Sequence, residues 1–208
     1  MLRRKINILI LLSLLSLVAA CSNQENQDAL IEEGELTDYE RNLTNLVSEN
    51  VFVYDVEILN KNAKAVRLKV DYYQEGELVD TIVNLSFSVD VEEESEARLV
   101  FLNTPPSGQE KWVAAIMTEN GMASSTVDEG LPKMEDMSGI AGSLVGPSLE
   151  INKESVIGSM VKSNQETIGT PVHIETEEDL KRATSYEHVF ILKATLMDCN
   201  VGEEGCPE

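Results

Sequence analysis

The chain has 208 residues, with 37 Asp and Glu against 16 Lys and Arg, a formal charge of −21. That length supports one domain, or one domain plus an appendage, with a real core. So acidic a chain repels phosphate backbones and anionic headgroups, which excludes nucleic acid as a partner and a basic face as a membrane contact. The acidity reads as a solubility device before it reads as cation binding.

Arg3, Arg4 and Lys5 precede an apolar run from Ile6 to Leu17, and Val18-Ala19-Ala20-Cys21 follows. A basic start, an apolar stretch and a small-residue cleavage point make a secretory signal. Ile6 to Ala20 includes Asn7, Ser13 and Ser16 and falls short of the roughly 20 apolar residues of a permanent span. The tetrad resembles the lipobox of bacterial lipoproteins, a resemblance that covers residues 1–21 alone. It implies that the Cys21 thiol receives a diacylglyceryl group and that cleavage leaves Cys21 as the new N-terminus, often with a further amide-linked acyl chain such as palmitate. Two acyl chains hold a protein stably on a bilayer where one holds it marginally. The expected location is therefore the cell membrane, lipid-anchored, facing the extracytoplasmic side. The competing expectation is a secreted protein with a chance cysteine. Ser22 follows the cysteine, so the Asp that retains Gram-negative lipoproteins in the inner membrane is absent. Removing residues 1–20 leaves 188 residues and takes the charge to −24, since three basic residues and no acidic one are lost.

Ser22 to Leu36 is polar and acidic and reads as a spacer over 21–36. Thr37-Asp38-Tyr39-Glu40 is a capping box, and Tyr39, Leu43, Leu46 and Val47 follow at helical spacing. This predicts a short amphipathic helix packed on the domain beyond. The period then changes to two. Phe52, Tyr54, Val56 and Ile58 form one alternating set, and Val66, Leu68, Val70 and Tyr72 form a second. Glu75-Gly76 marks a turn into a strand over Leu78–Val89, whose later half places Val83, Leu85, Phe87 and Val89 on one face. An acidic bend at 92–96 leads to Arg98–Leu102, and a Pro-Pro loop leads to Trp112–Thr118. Asn120-Gly121 predicts a hairpin turn to Met122–Val127. Residues 128–147 carry Gly130, Pro132, Gly139, Gly142, Gly146 and Pro147 and read as a long irregular loop. Beyond it come weaker strands at Leu149–Ile151, Val156–Val161 and Val172–Ile174, and a helix over Glu177–Ala183 capped by Thr176. A last strand, His188–Met197, is apolar on both faces, as a central strand would be. The tail 198–208 closes the chain.

No chemical constellation stands out. His173 and His188 lie in or beside predicted strands without an accompanying motif, which favours ordinary strand histidines over a base or a ligand pair. Gly139–Gly146 lacks the spacing of a nucleophile elbow and the Lys-Ser/Thr ending of a P-loop. Met134 and Met137 are too few thioethers for a copper site and read as apolar contacts. The acidic groups at 92–96 and 175–179 lack an EF-hand pattern. No cofactor and no metal is expected. Cys199 and Cys206 either close a disulfide across a flexible small loop or stay as free thiols in a frayed tail.

The expected fold is mainly β: an antiparallel sandwich of immunoglobulin-like character over 37–197, with one or two short helices. The leading functional expectation is a non-enzymatic binding module at the cell envelope, presenting the 128–147 loop to a protein, polymer or small ligand. An envelope hydrolase that draws on His173, His188 and carboxylates is the second reading. A small solute-binding component comes last, because its usual two-lobed α/β architecture needs a longer, less strand-rich chain.

Overall fold

The structure, a computed structural model, describes residues 27–206 apart from 92–94, 105–110, 129–130, 133, 135–136, 144–147, 170–173 and 175. Two antiparallel sheets face each other. One runs through β1 (Ala29–Glu33), β2 (Asn50–Ile58), β5 (Ser95–Thr104), β6 (Lys111–Thr118), β7 (Gly121–Val127) and β9 (Ser148–Leu149). Their order is β7-β6-β5-β2-β1-β9. The other contains β3 (Ala65–Gln74), β4 (Glu77–Ser88), β8 (Ser138–Ser143), β10 (Ser155–Ser163) and β11 (His188–Met197). Their order is β4-β3-β11-β10-β8. Two short helices, α1 (Asp38–Asn45) and α2 (Glu177–Ala183), complete the fold. The sandwich expected from the alternating segments is the fold that forms.

The period-two pattern works because each strand turns one set of side chains inward. Phe52, Tyr54, Val56 and Ile58 of β2 meet Val66, Leu68, Val70 and Tyr72 of β3 and Phe190, Leu192, Ala194 and Leu196 of β11 in one core. Leu99 and Phe101 of β5 and Trp112, Ala114 and Ile116 of β6 join it. Strand β11 is flanked by β3 and β10, and its outward residues Val189 and Ile191 are also fully buried. That is the central position its two apolar faces predict. A direct bond ties the sheets: the Tyr54 hydroxyl donates to the Ile157 carbonyl at 2.6 Å. Gly158 makes room for it, since a Cβ there would lie 2.5 Å from the Tyr54 oxygen.

Three expectations change. The spacer ends early: Ala29–Glu33 is a strand that pairs with β2 and β9. Ala29 and Ile31 are its only inward residues, too brief a pattern to stand out from the acidic composition around it. The irregular loop is also shorter than 128–147, because Ser138–Ser143 pairs with β10 from Gly158 to Ser163. Glycines weaken a strand without forbidding an edge position, and at Gly139 a Cβ would meet the Lys162 side chain at 3.1 Å. The β6–β7 turn lies one residue earlier than expected, since Thr118 pairs with Gly121 across Glu119 and Asn120. The turn with both central residues at positive φ is instead Glu75-Gly76, at 51° and 89°, which fits the twist of the β3–β4 hairpin. Of the strand expected at Val172–Ile174, all but Ile174 lies outside the described residues.

The registers define two ends of the sandwich. At one end the chain enters at Asp28, whose carboxylate accepts from Asn60 Nδ2 at 2.6 Å and from the Ile151 amide at 2.7 Å. Lys64 N–H donates to the Met197 carbonyl at the same end, next to Cys199 and Cys206. The opposite end holds α1, the start of β2 at Asn50, the start of β11 at His188, and the crossing from Val127 to Ser138.

Candidate functional site

Both helices begin with the same device. Thr37 N–H donates to Glu40 Oε2 at 2.8 Å and Glu40 N–H donates back to Thr37 Oγ1 at 3.3 Å. Thr176 and Asp179 repeat the exchange, with both bonds at 3.1 Å. The capping box expected at 37–40 therefore forms, and the cap expected at Thr176 forms as a full capping box. The hydrogen bonds from Thr37 hold the Glu40 carboxyl below the usual carboxylate range.

The packing of α1 is the opposite of the expectation. The residues that approach the body of the protein are Glu40 and Thr44, half-buried, and then Ser48, buried just beyond the helix. They are spaced four apart, so they form one polar stripe. Thr44 Oγ1 donates to the Glu40 carbonyl at 3.0 Å and Ser48 Oγ donates to the Thr44 carbonyl at 2.9 Å, so the stripe bonds to its own backbone. The apolar stripe points away from the sandwich: Tyr39 is 76% exposed, Leu43 51%, Leu46 80% and Val47 52%. The helix therefore does not pack on the domain through its apolar face. Sequence reasoning found the stripe and assigned it the wrong side, because periodicity says that a face exists and not where it points.

The position of α1 is fixed from both sides. Gly34 N–H donates to the Val53 carbonyl at 2.8 Å, and a Cβ on Gly34 would stand 2.7 Å from Val53 Cγ1. After the helix, Glu49 N–H donates to the Asn103 carbonyl at 2.7 Å, and Glu49 Oε2 takes an ion pair from Lys162 Nζ at 2.8 Å. Between α1 and β2 runs a groove of about 580 Å³ bordered by Glu33, Glu35, Arg41, Asn45, Glu49 and Asn50. The Arg41 guanidinium donates to the Leu36 carbonyl at 3.3 Å.

The residues singled out from sequence fall elsewhere. Cys21 and His173 lie outside the described residues. Cys199 and Cys206 are joined as a disulfide with Cα atoms 5.7 Å apart. His188 faces inward at 7% exposure, and its Nδ1 pairs with the Tyr72 hydroxyl at 2.7 Å. Burial pushes its imidazole below the ordinary value, against the nearby Glu187 and Glu75 carboxylates. The ring closes the end of an aromatic series with Tyr72, Phe190 and Trp112, which is a packing role. Within the stretch expected to display a binding loop, Leu131 and Met134 are buried in the main core and Ser138–Ser143 is strand. A hydrophobic contact is what Met134 makes.

The outer face of the five-stranded sheet carries a charge network. Lys193 Nζ reaches Asp71 Oδ2 and Glu154 Oε1, both at 2.7 Å, and Lys69 Nζ reaches Glu154 Oε2 at 3.2 Å. Burial opposes the charged forms, but the partners outweigh it: Glu154 is held below its usual range and Lys193 above its own. Thr81 Oγ1 donates to Asp71 at 2.6 Å. Every charge there has a partner, so the network reads as structural. A second groove, about 520 Å³, lies on the outer face of the six-stranded sheet between Leu30, Glu57, Arg98 and Met117. Arg98 there is held by Asp55 at 2.7 and 2.9 Å. Among the described residues no group of three or more His, Cys, Asp or Glu is placed to hold a metal ion, and no helix is long and apolar enough to cross a membrane.

The surface that stands out is therefore α1 and the turn after it: an outward apolar stripe, with the acid-bordered groove on the other side of the helix, toward β2. Comparison with curated proteins and with solved structures gives no match. The family model of the YgaN domain matches residues 30–196, from the second residue of β1 to the next-to-last residue of β11, and the chain belongs to that family.

Proposed function

We propose that this chain is a lipid-anchored extracytoplasmic protein of the bacterial envelope that works as a binding module, with α1 as its contact surface. The observation that carries the binding role is the helix turned inside out. Four large apolar side chains face solvent along α1 and the turn that follows it, while Glu40, Thr44 and Ser48 face the protein. Contiguous exposed apolar surface of this kind marks interaction sites. The anchor rests on the basic, apolar and Val18-Ala19-Ala20-Cys21 segments of the N-terminus. The loop 128–147, first expected to present the contact, gives way to α1 because its Leu131 and Met134 are committed to the core.

Two experiments test the parts separately. Cys21→Ala should release the protein from membranes or block its maturation, and a variant still membrane-bound and normally processed refutes the anchor. A photo-crosslinking residue at Leu43 of the lipidated chain in intact cells should give a discrete protein adduct, and the same residue at Lys61 should not. Equal labelling from the two positions, or none from Leu43, refutes α1 as the contact surface.

A further inference from the structure

We infer that β8 is a self-association edge: two copies of this chain pair antiparallel through Ser138–Ser143 and join their five-stranded sheets into one. The inference stands apart from α1 and from the anchor.

An edge strand displays a row of unpaired amides and carbonyls that recruits another strand unless something blunts it. The two sheets end in β7, β9, β4 and β8. Strand β9 is only two residues long. Strand β4 carries Glu77 and Asp80, and its register against β3 is irregular at two places. Strand β7 lies against β4 of the facing sheet, where a Cβ on Gly121 would meet Phe87 Cζ at 3.6 Å. Strand β8 has none of these protections. It is six residues long, its register with β10 is unbroken, and it holds neither proline nor charge. No charged residue occurs from Ser138 to Leu149. Among the described residues no strand pairs with its outer edge.

The backbone fixes the register of the pairing. The Gly142 carbonyl faces β10, since a Cβ on Gly158 would lie 3.3 Å from its oxygen. In an antiparallel strand a residue's N–H and C=O point to the same side, and the side alternates along the chain. Gly139, Ala141 and Ser143 therefore turn theirs outward. Two copies that exchange bonds between these residues set Ala141 opposite itself, on a two-fold axis, and Gly139 opposite Ser143. Ile140 then falls opposite Gly142 of the second copy, so the one bulky side chain meets a glycine.

Charge favours a second copy as the occupant. In a symmetric pair each patch meets itself. A formal charge of −21 opposes that over most of this surface, and like charges placed opposite one another destabilise a strand pair. The neutral edge escapes this cost. A basic foreign strand gains no attraction from it.

The test is sedimentation equilibrium of the full chain in density-matched detergent, joined to cysteine crosslinking. The chain should show a concentration-dependent dimer. Residues that exchange both bonds have Cα atoms about 5.5 Å apart, within disulfide reach. Ala141→Cys should therefore give a covalent dimer under mild oxidation, and Ser124→Cys on β7 should not. Ala141→Pro removes an outward amide that β10 does not use and should abolish the dimer, with an unchanged thermal midpoint showing that the variant is folded. If the proline variant unfolds, the two cysteine variants decide alone. A chain that stays monomeric at every loading concentration overturns the inference. So does equal crosslinking from Ala141→Cys and Ser124→Cys, or a folded Ala141→Pro chain that still dimerises. An Ala141→Cys adduct in intact cells with a different protein, in place of the homodimer, overturns it too.

Discussion

Helices α1 and α2 start from nearly the same local sequence and end in opposite relations to the protein. Each opens on a threonine capping box and carries acidic residues in its first turn. Helix α2 also ends on Lys181 and Arg182, which suit the negative end of the helix dipole, whereas α1 has no base in its last turn. Helix α2 packs Leu180 against Tyr73, Val161, Val189 and Ile191 on the outer face of the five-stranded sheet. Helix α1 sets Glu40, Thr44 and Ser48 toward the sandwich and leaves its leucines outside. The difference lies in what each helix finds beneath it. The strand face under α2 is an apolar floor, because Val189 and Ile191 are the outward residues of a central strand. Short helices are marginal alone and take their stability from packing or capping. So α2 is held by packing, and α1 by its cap and by the Gly34–Val53 and Glu49–Asn103 bonds on either side.

That contrast can be broken at the floor of α2. Ile191→Ala removes a fully buried side chain and should cost about 3 kcal/mol in urea unfolding, with α2 amides losing hydrogen-exchange protection first. Unaltered α2 protection would mean that packing is not what holds it. The caps sharpen the comparison at an intermediate scale. Thr37→Ala and Thr176→Ala should each weaken their helix by about 1 kcal/mol. The first should appear as faster exchange confined to 38–46, and the second as a shift in the global midpoint. A global shift from Thr37→Ala would show α1 to be more firmly built into the fold than its contacts indicate. The smallest effect belongs to the outward leucines. Leu46→Ser should change stability by no more than about 0.5 kcal/mol by urea midpoint, whereas a loss above about 1.5 kcal/mol would place Leu46 in the folding core.

Much of the sandwich was legible because period-two alternation reports burial directly. The sets Phe52–Ile58, Val66–Tyr72 and Val83–Val89 and the two-faced run at 188–197 each became the strand they suggest. Strands β1 and β8 were hidden for a physical reason. Their inward residues, Ala29 and Ile31 in one and Ala141 beside Gly142 in the other, bury too little to rise above acidic or glycine-rich surroundings. At the candidate site the stripe of α1 was legible and its direction was not.

The sequence by itself determined the helix caps, the inward face of each long strand, the charge and the candidate anchor at Cys21. All of these are set by neighbours within a few residues or by composition. Only the tertiary structure decided which apolar faces would be covered. Burial of a face requires a partner surface, and partner surfaces are assembled from segments far apart in the chain. Val189 and Ile191 on β11 and Tyr73 on β3 make a floor for α2 only where β3 and β11 pair in the five-stranded sheet, more than a hundred residues apart in the chain. Helix α1, placed between Glu33 and Asn50 at the end of the other sheet, was given a polar seat and kept its leucines outside.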